Sequence, residues 1–343
     1  MPTRVAINGF GRIGRQAFKV ALNRPELEIV AINDIGDVAN MAYLLKYDSV
    51  YRRDEQDIRA DGNTIVVDGR QFPILSVSDP KQLPWRDMDV DVVIESTGRF
   101  TKRDQAAVHL EAGAKSVVIS APASGAPSFV LGVNDSSYNP EQDTVISNAS
   151  CTTNSIAPVM AILDEKFGVQ KAFLTTVHSY TSDQRLVDSP HKDWRRGRAA
   201  AQNIVPTSTG AARATSEALP QLKGIFDGVS LRVPTIDVSM SDMTVLLKRK
   251  TTEEEINQAF REAASSDRYR GILQATDEQL VSSDFIGNPH SAIVDLSLTQ
   301  VIDGDFVKIF AWYDNEWGYS NRLVEEVVMV GKSLQREPVG AQA

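Results

Sequence analysis

Short apolar runs alternate with stretches of helical period along the first third of the chain. Val5 and Ile7 mark a buried strand from Arg4 to Asn8. Ala17, Phe18, Ala21 and Leu22 then share one face of a predicted amphipathic helix. Leu27 to Ile32 is a second apolar run and stops at Asn33-Asp34, and Val38 to Tyr47 reads as helix. Ile58 to Leu75 carries the turn signals Asp61-Gly62-Asn63 and Asp68-Gly69 between β-rich runs, which predicts a small antiparallel excursion. Val90 to Ile94 and Val117 to Ile119 are further buried strands. Between them Thr101 to Ala112 is helical, with Gly113 as its stop. Strands separated by helices predict an open parallel α/β sheet, whose strand ends near Gly98 and Ser120 are either ligand contacts or ordinary loop.

The pattern changes after residue 150. Ile156, Val159, Met160, Ile162 and Leu163 continue a helical period from Cys151 to about Phe167. A strand from Ala172 to Val177 ends at His178, and a long polar stretch lasts to Val205. Beyond it lie the β-like runs Val229 to Val233, Val238 to Leu247, Ala292 to Val301 and Phe306 to Tyr313, with one clear helix, Thr252 to Ala264. Long alternating strands predict a mostly antiparallel sheet with one face exposed or used for assembly. The last helix runs from roughly Tyr319 to Gly331. The expected organisation is an N-terminal Rossmann dinucleotide-binding domain, 1–150, joined by the C-terminal helix 318–335, and an α+β catalytic domain, 151–317.

Composition narrows the class. The 343 residues are 42% hydrophobic and 24% charged without a low-complexity tract, which fits two globular domains with ordinary cores. A net charge of −9 argues against an overall basic field for nucleic acid or anionic lipid. No apolar stretch approaches the roughly 20 residues of a membrane span. Polar residues interrupt the N-terminal apolar positions, so no export signal is expected, and one cysteine fits a reducing cytoplasm. The tail from Ser333 to Ala343 is expected to fray.

Two motifs carry chemistry. Gly9-Phe10-Gly11-Arg12-Ile13-Gly14 follows the first strand and opens the first helix. Gly9 permits a tight turn, Gly11 lets backbone approach a pyrophosphate, and Gly14 allows close helix–strand packing. Asp34 stands 20 positions after Gly14 at the end of the second strand, where a carboxylate accepts ribose hydroxyls and repels a 2′-phosphate. That favours NAD over NADP. The second motif is Ser147-Asn148-Ala149-Ser150-Cys151-Thr152-Thr153-Asn154, around the only cysteine of the chain. At a helix N-terminus, backbone N–H groups and the helix dipole favour a nucleophilic thiolate, whereas a lone cysteine without context is a small buried hydrophobe. Of four histidines, His178 alone sits at a strand end beside a polar loop and is the best partner for the thiol. The loop after it carries Arg185, Arg195, Arg196 and Arg198, suited to phosphate groups or to charge pairs at a subunit interface. Pro206-Thr207-Ser208-Thr209-Gly210-Ala211-Ala212 is an anion cradle or a plain helix cap.

Together these segments resemble phosphorylating glyceraldehyde-3-phosphate dehydrogenase, from about Arg4 to Gly331. SNASCTTN, HSYTSDQR, RRGRAA, PTSTGAA, LRVPT and AWYDNEWGYS stand in that family's order. The resemblance implies that Cys151 attacks the substrate aldehyde to form a thiohemiacetal, with His178 raising its nucleophilicity and taking the proton. Hydride passes to NAD, and inorganic phosphate releases the acyl group from the resulting thioester. The resemblance puts Thr181 and Arg232 at the substrate C3 phosphate, and Arg196, Thr209 and Gly210 at attacking phosphate. It puts Ser150 and Thr152 in the substrate pocket. Gly9, Gly11, Arg12, Ile13, Gly14, Asp34, Ser120, Asn315 and Tyr319 fall at NAD contacts. It further implies a homotetramer acting on glyceraldehyde 3-phosphate and inorganic phosphate, with no metal, nucleic acid or membrane partner.

Two departures stand out. Ser78 occupies a place where many members carry an arginine near the adenine, and Tyr51-Arg52-Arg53 replaces a frequent His-Gly. Ile35 and Pro190 fall where NADP-using relatives carry polar residues, which again favours NAD. The rival readings are an erythrose-4-phosphate dehydrogenase and a non-catalytic NAD-binding interaction protein. The segment after His178 speaks against the first. Joint retention of Cys151, His178, Arg232 and Asn315 speaks against the second.

Overall fold

The computed structural model describes residues 1–335. They form two compact units: Met1–Phe129 with Ser137–Ala149 and 320–335, and Val130–Ser136 with Ser150–Tyr319. The short segment Val130–Ser136 therefore belongs with the second unit, although it precedes residue 150 in sequence. Among the described residues no helix is long and apolar enough to cross a membrane.

The first unit is built on an eight-stranded sheet. Its order is Val145–Ser147, Ser116–Ile119, Val92–Glu95, Thr3–Asn8, Leu27–Asn33, Arg70–Leu75, Thr64–Val67 and Ile58–Asp61. The first six strands run parallel, and the last two add the antiparallel excursion. Arg70–Leu75 serves both parts: it pairs parallel with Leu27–Asn33 and antiparallel with Thr64–Val67. The chain starts at the central strand Thr3–Asn8, builds one side, and then crosses to Val92–Glu95 on the other. Such a reversal of strand order leaves a crevice at the carboxyl strand ends, where this fold class binds ligands. Val5, Ile7, Val92, Val93 and Ile94 are fully buried, as strands covered on both faces require.

The predicted helix Thr101 to Ala112 is two short ones, Arg103–Ala106 and Val108–Glu111, broken at Ala107. Its stop at Gly113 holds, since that residue has φ +112°. The strand Val145–Ser147 has too few residues to show a period and emerges only in the structure. The helix Trp317–Leu334 extends past the predicted end and includes Ser333, where fraying was expected. Arg24 pairs with its Glu325 at 2.9 Å, and Gly331 lets it approach Thr3, since a Cβ there would lie 2.1 Å from Thr3 Oγ1. The rest of the expected tail, 336–343, lies outside the described residues.

The second unit centres on a mixed sheet in the order Val205–Ser208, Phe226–Val233, Val169–Ser179, Ser239–Leu247, Phe306–Tyr313, Ala292–Asp295 and Leu273–Thr276. Most pairs are antiparallel; two are parallel. The apolar run Ala292 to Val301 is not one strand. It breaks into Ala292–Asp295, a 3-10 turn Leu296–Leu298, and Gln300–Ile302. Strand alternation puts Ala172, Leu174, Thr176 and His178 on the buried face of Val169–Ser179. The helix Cys151–Phe167 packs in the same core, through Ile156, Val159, Met160 and Leu163 with Leu174, Met243, Val245 and Ile309. Each such side chain contributes about 1.5–3 kcal/mol when fully buried. Phe173, one residue out of phase, is 70% exposed, and Val229 on the adjacent strand is 52% exposed.

Candidate active site

The first unit carries a cleft of about 260 Å³ at the switch between strands, lined by Asn8, Gly9, Gly11, Asp34, Ser96 and Thr97 among others. The glycines divide the work as their positions predict. Gly9 has φ +97°, and a Cβ there would lie 2.6 Å from Thr97 N. A Cβ on Gly14 would lie 2.0 Å from Gly9 O, so only glycine lets the helix Arg12–Leu22 sit this close. Beside Gly11 a Cβ would meet nothing within 4 Å: its face is open to the cleft. Asp34 is oriented by two loop amides, Phe10 N–H at 2.7 Å to Oδ2 and Gly36 N–H at 2.9 Å to Oδ1. Each oxygen keeps a lone pair for a ribose hydroxyl. These features fit a dinucleotide: an open glycine turn, a helix N-terminus and an aimed carboxylate.

Other expected contacts sit differently. Arg12 is drawn to Asp48, Nη1 to Oδ2 at 2.7 Å, and stands over the Tyr51 ring. Ile13 is half-buried in the first helical turn, and Ser120 follows the strand end with its N–H donating to Glu95 O at 2.9 Å. Ser78 and Arg99 both line the cleft. Sequence reasoning missed what lies beneath it. The buried Glu95 carboxylate accepts from Asn8 Nδ2 at 2.6 Å and from Thr97 N at 2.9 Å. Trp85 Nε1 donates to His109 Nδ1 at 3.0 Å, so His109 presents Nε2–H to Glu95 at 3.0 Å. Apart from Thr97, these partners are 14 to 87 residues apart in sequence, beyond any local pattern.

In the second unit Ser150 caps the helix Cys151–Phe167, its Oγ accepting from Thr153 N at 3.0 Å. Cys151, in the first turn, is half-buried with Sγ 3.5 Å from His178 Nε2. His178 Nδ1 lies 2.8 Å from Ser179 O. A carbonyl only accepts, so Nδ1 carries the proton and Nε2 faces the thiol with its lone pair. Burial, then the Arg232 charge, drives His178 down to about 3. Burial pushes the Cys151 thiol up, against Arg232, Thr152 and the first-turn amides. Burial thus works towards the neutral form of both groups. A helix N-terminus alone predicts a thiolate; desolvation outweighs it here.

Arg232 reaches this pair through sheet register, being the cross-strand partner of His178. Its Nη1 donates to Thr181 Oγ1 at 2.8 Å and to Ser179 O at 3.3 Å. Thr181 Oγ1 donates in turn to Asp183, and Asp183 pairs with Arg196. Arg196 Nε also donates to Thr207 Oγ1 at 2.9 Å. One acidic residue, to which sequence analysis assigned no role, therefore ties Thr181, Arg232 and Arg196 into one cluster. Gly210 is the N-cap of the helix Ala211–Ala218, and Thr209 Oγ1 accepts from Ala211 N at 3.2 Å, so that segment is a cap as well as a possible cradle. Thr152 is almost fully buried, with its hydroxyl 2.9 Å from Tyr313 Oη, which lies 3.0 Å from Thr176 Oγ1. Asn315 Oδ1 accepts from Ser179 Oγ at 3.0 Å and Ser239 Oγ at 2.7 Å. Tyr319 is buried, 5% exposed.

A dinucleotide fold joined in one chain to a cysteine–histidine pair and an arginine cluster defines an NAD-dependent dehydrogenase. Two family models match the chain: the NAD binding domain of glyceraldehyde 3-phosphate dehydrogenase over residues 3–103, and the C-terminal domain over 150–315. The chain belongs to the glyceraldehyde-3-phosphate dehydrogenase family. It is 52% identical over 336 residues to glyceraldehyde-3-phosphate dehydrogenase 2 of Streptomyces avermitilis, covering 97% of this chain and 100% of that one. It is 51% identical over 333 residues to enzyme 1 of Bacillus subtilis, covering 97% and 99%. The Geobacillus stearothermophilus enzyme is 51% identical over 326 residues, covering 95% and 97%.

Proposed function

We infer that the protein oxidises glyceraldehyde 3-phosphate with NAD and inorganic phosphate to 1,3-bisphosphoglycerate. The observation that carries this reading is Cys151 Sγ at 3.5 Å from an unprotonated His178 Nε2, beside arginines suited to two anions. Sulfur attacks the aldehyde carbon, and His178 relays the thiol proton to the new hydroxyl. The first-turn N–H groups of Cys151 and Thr152 act on the reacting end of the helix. When bound, NAD supplies the hydride acceptor that turns the thiohemiacetal into a thioester. His178 takes the hydroxyl proton in that step. It returns the proton to sulfur when phosphate forms its bond to the acyl carbon and the C–S bond breaks. His178 is placed for this because Ser179 O holds Nδ1 and leaves Nε2 facing the sulfur.

Thr181 and Arg232 bind the C3 phosphate in this reading, and Arg196, Thr209 and Gly210 bind the attacking phosphate, with Asp183 pre-ordering both arginines. Ser150 and Thr152 shape the substrate pocket by holding the first turn. Gly9, Gly11, Arg12, Ile13, Gly14, Asp34 and Ser120 would hold NAD, with Asn315 orienting the carboxamide and Tyr319 beside it. The protein acts as a homotetramer in the cytoplasm. Exposed Leu186, Val187 and Trp194, at 79%, 69% and 89%, support burial against another subunit.

NADH formation tests the reading, measured with glyceraldehyde 3-phosphate and with erythrose 4-phosphate, each with and without inorganic phosphate. Phosphate-dependent NADH with the triose is the expected result, and Cys151→Ser removes it while NAD binding persists. Faster turnover of the tetrose, or NADH from the serine variant, overturns it.

A further inference from the structure

Glu95 ends the strand Val92–Glu95, next to Ser96 and Thr97, which line the cleft of the first unit. Its side chain is buried, and each carboxylate oxygen meets two donors. Oε1 accepts from Thr97 N at 2.9 Å and from Thr97 Oγ1. Oε2 accepts from Asn8 Nδ2 at 2.6 Å and from His109 Nε2 at 3.0 Å. The histidine bond has a fixed direction. An indole N–H only donates, so Trp85, 3.0 Å from His109 Nδ1, leaves the His109 proton on Nε2. On the other side Asn33 Nδ2 donates to Asn8 Oδ1 at 2.7 Å, which turns Asn8 Nδ2 to Glu95. Every donor in these chains of bonds therefore points towards one carboxylate.

We propose that Glu95 is a positioning residue for the cofactor: its carboxylate ties three strand ends and the turn after it together, and so holds the cleft in shape before the dinucleotide binds. The role rests on the reading that this cleft holds NAD. Asn8, Asn33 and Glu95 are the last residues of the strands Thr3–Asn8, Leu27–Asn33 and Val92–Glu95. Asn33 extends the tie to Val77: its Oδ1 accepts from Val77 N at 3.0 Å, and its Nδ2 donates to Val77 O at 3.0 Å. Thr97 extends it to Arg99, its Oγ1 accepting from Arg99 N at 3.1 Å. Val77, Thr97 and Arg99 all line the cleft.

Only a group that accepts at both oxygens satisfies these donors. An amide at position 95 has to turn its N–H groups on one pair of them. Towards Asn8 and His109 it meets two hydrogens, both fixed by other bonds. Towards Thr97 it meets one fixed backbone N–H and a hydroxyl that can rotate to accept. The amide therefore settles towards Thr97 and leaves that N–H without its acceptor, a fault the turn relieves only by moving. Plain electrostatics has the opposite sign. Removing a negative charge near a site for an anionic pyrophosphate would tighten binding.

The experiment compares the protein with Glu95→Gln. NAD affinity is measured by calorimetry, and KM and kcat by NADH formation. The variant should bind NAD about tenfold more weakly, with the loss carried by the KM for NAD rather than by kcat. A merely structural role lowers the share of folded enzyme, and with it kcat, and leaves affinity and KM where they were. Equal or tighter NAD binding by the variant, or a loss confined to kcat, overturns the proposal. If the variant folds poorly, amide exchange in the unaltered protein without NAD decides. The Thr97 and Arg99 N–H groups should then exchange at least about tenfold more slowly than in an unfolded chain. Exchange at the unfolded rate, slowed only when NAD is added, overturns the proposal, since the cofactor then orders the turn. No NAD binding by the unaltered protein overturns the reading of the cleft itself.

Discussion

The Cys151 thiol stands between opposing forces, and their balance is measurable. Helix-end amides and Arg232 favour the thiolate, while burial disfavours it more. Iodoacetamide alkylation should therefore rise with pH and reach its midpoint above the ordinary thiol value of about 8.5. A plateau already reached at neutral pH would mean a thiolate at rest. His178 imposes the opposite linkage. The unfolded chain protonates near 6.5, the folded one only at about 3. Stability from this residue is present above the first value and lost as pH falls through the second. The place of Asp34 at a strand end is legible from sequence, but its loop contacts are not. Asp34→Ala should weaken NAD binding about 10–100-fold and narrow the gap to NADP. Because Asp34 also holds Phe10 N and Gly36 N, part of that loss is loop disorder. Asp34→Asn keeps an acceptor for one of those two amides and removes the charge, so it shows how much of the effect is charge. Titration with both cofactors checks this; full NAD selectivity in the alanine variant would remove Asp34 from that role.

At the scale of elements, the glycine turn and the first helix stand or fall together. Gly14→Ala drives a methyl group into Gly9 O, so the helix Arg12–Leu22 must shift away from the strand. The expected cost is about 1–3 kcal/mol in urea unfolding, with a matching loss of NAD affinity. A fully stable variant with unchanged affinity would mean that the turn relaxes freely. Strands and helices with a clean period are those that sequence locates well: Leu27–Asn33, Cys151–Phe167 and Phe306–Tyr313 differ little from their predicted spans. Periodicity fails for Val145–Ser147, with three residues, and for the run Ala292 to Val301, where a 3-10 turn interrupts unbroken apolar character. In both, apolar content records burial without recording backbone geometry.

For the whole molecule, the two-sided character of the second sheet is the informative feature. Its inner face is core, while Phe173 and Val229 on the other face stay exposed in a single chain. Light scattering should give the mass of four chains, and Phe173→Asp should lower it; a monomeric wild-type mass would sink the homotetramer reading. The local pattern of the chain determined the glycine turn, Asp34 at the end of the second strand, Cys151 at its helix start and His178 at its strand end. Each depends on neighbours in sequence: a strand, a glycine spacing, a cap. Only tertiary structure decided which groups meet. Register sets Arg232 beside His178, Asp183 joins Thr181 to Arg196, and Tyr313 bridges Thr152 and Thr176. It also sets burial against the ionisation that the helix position of the thiol favours. Burial is a property of everything packed around a group, and desolvation acts through that surrounding, which no short stretch of sequence contains.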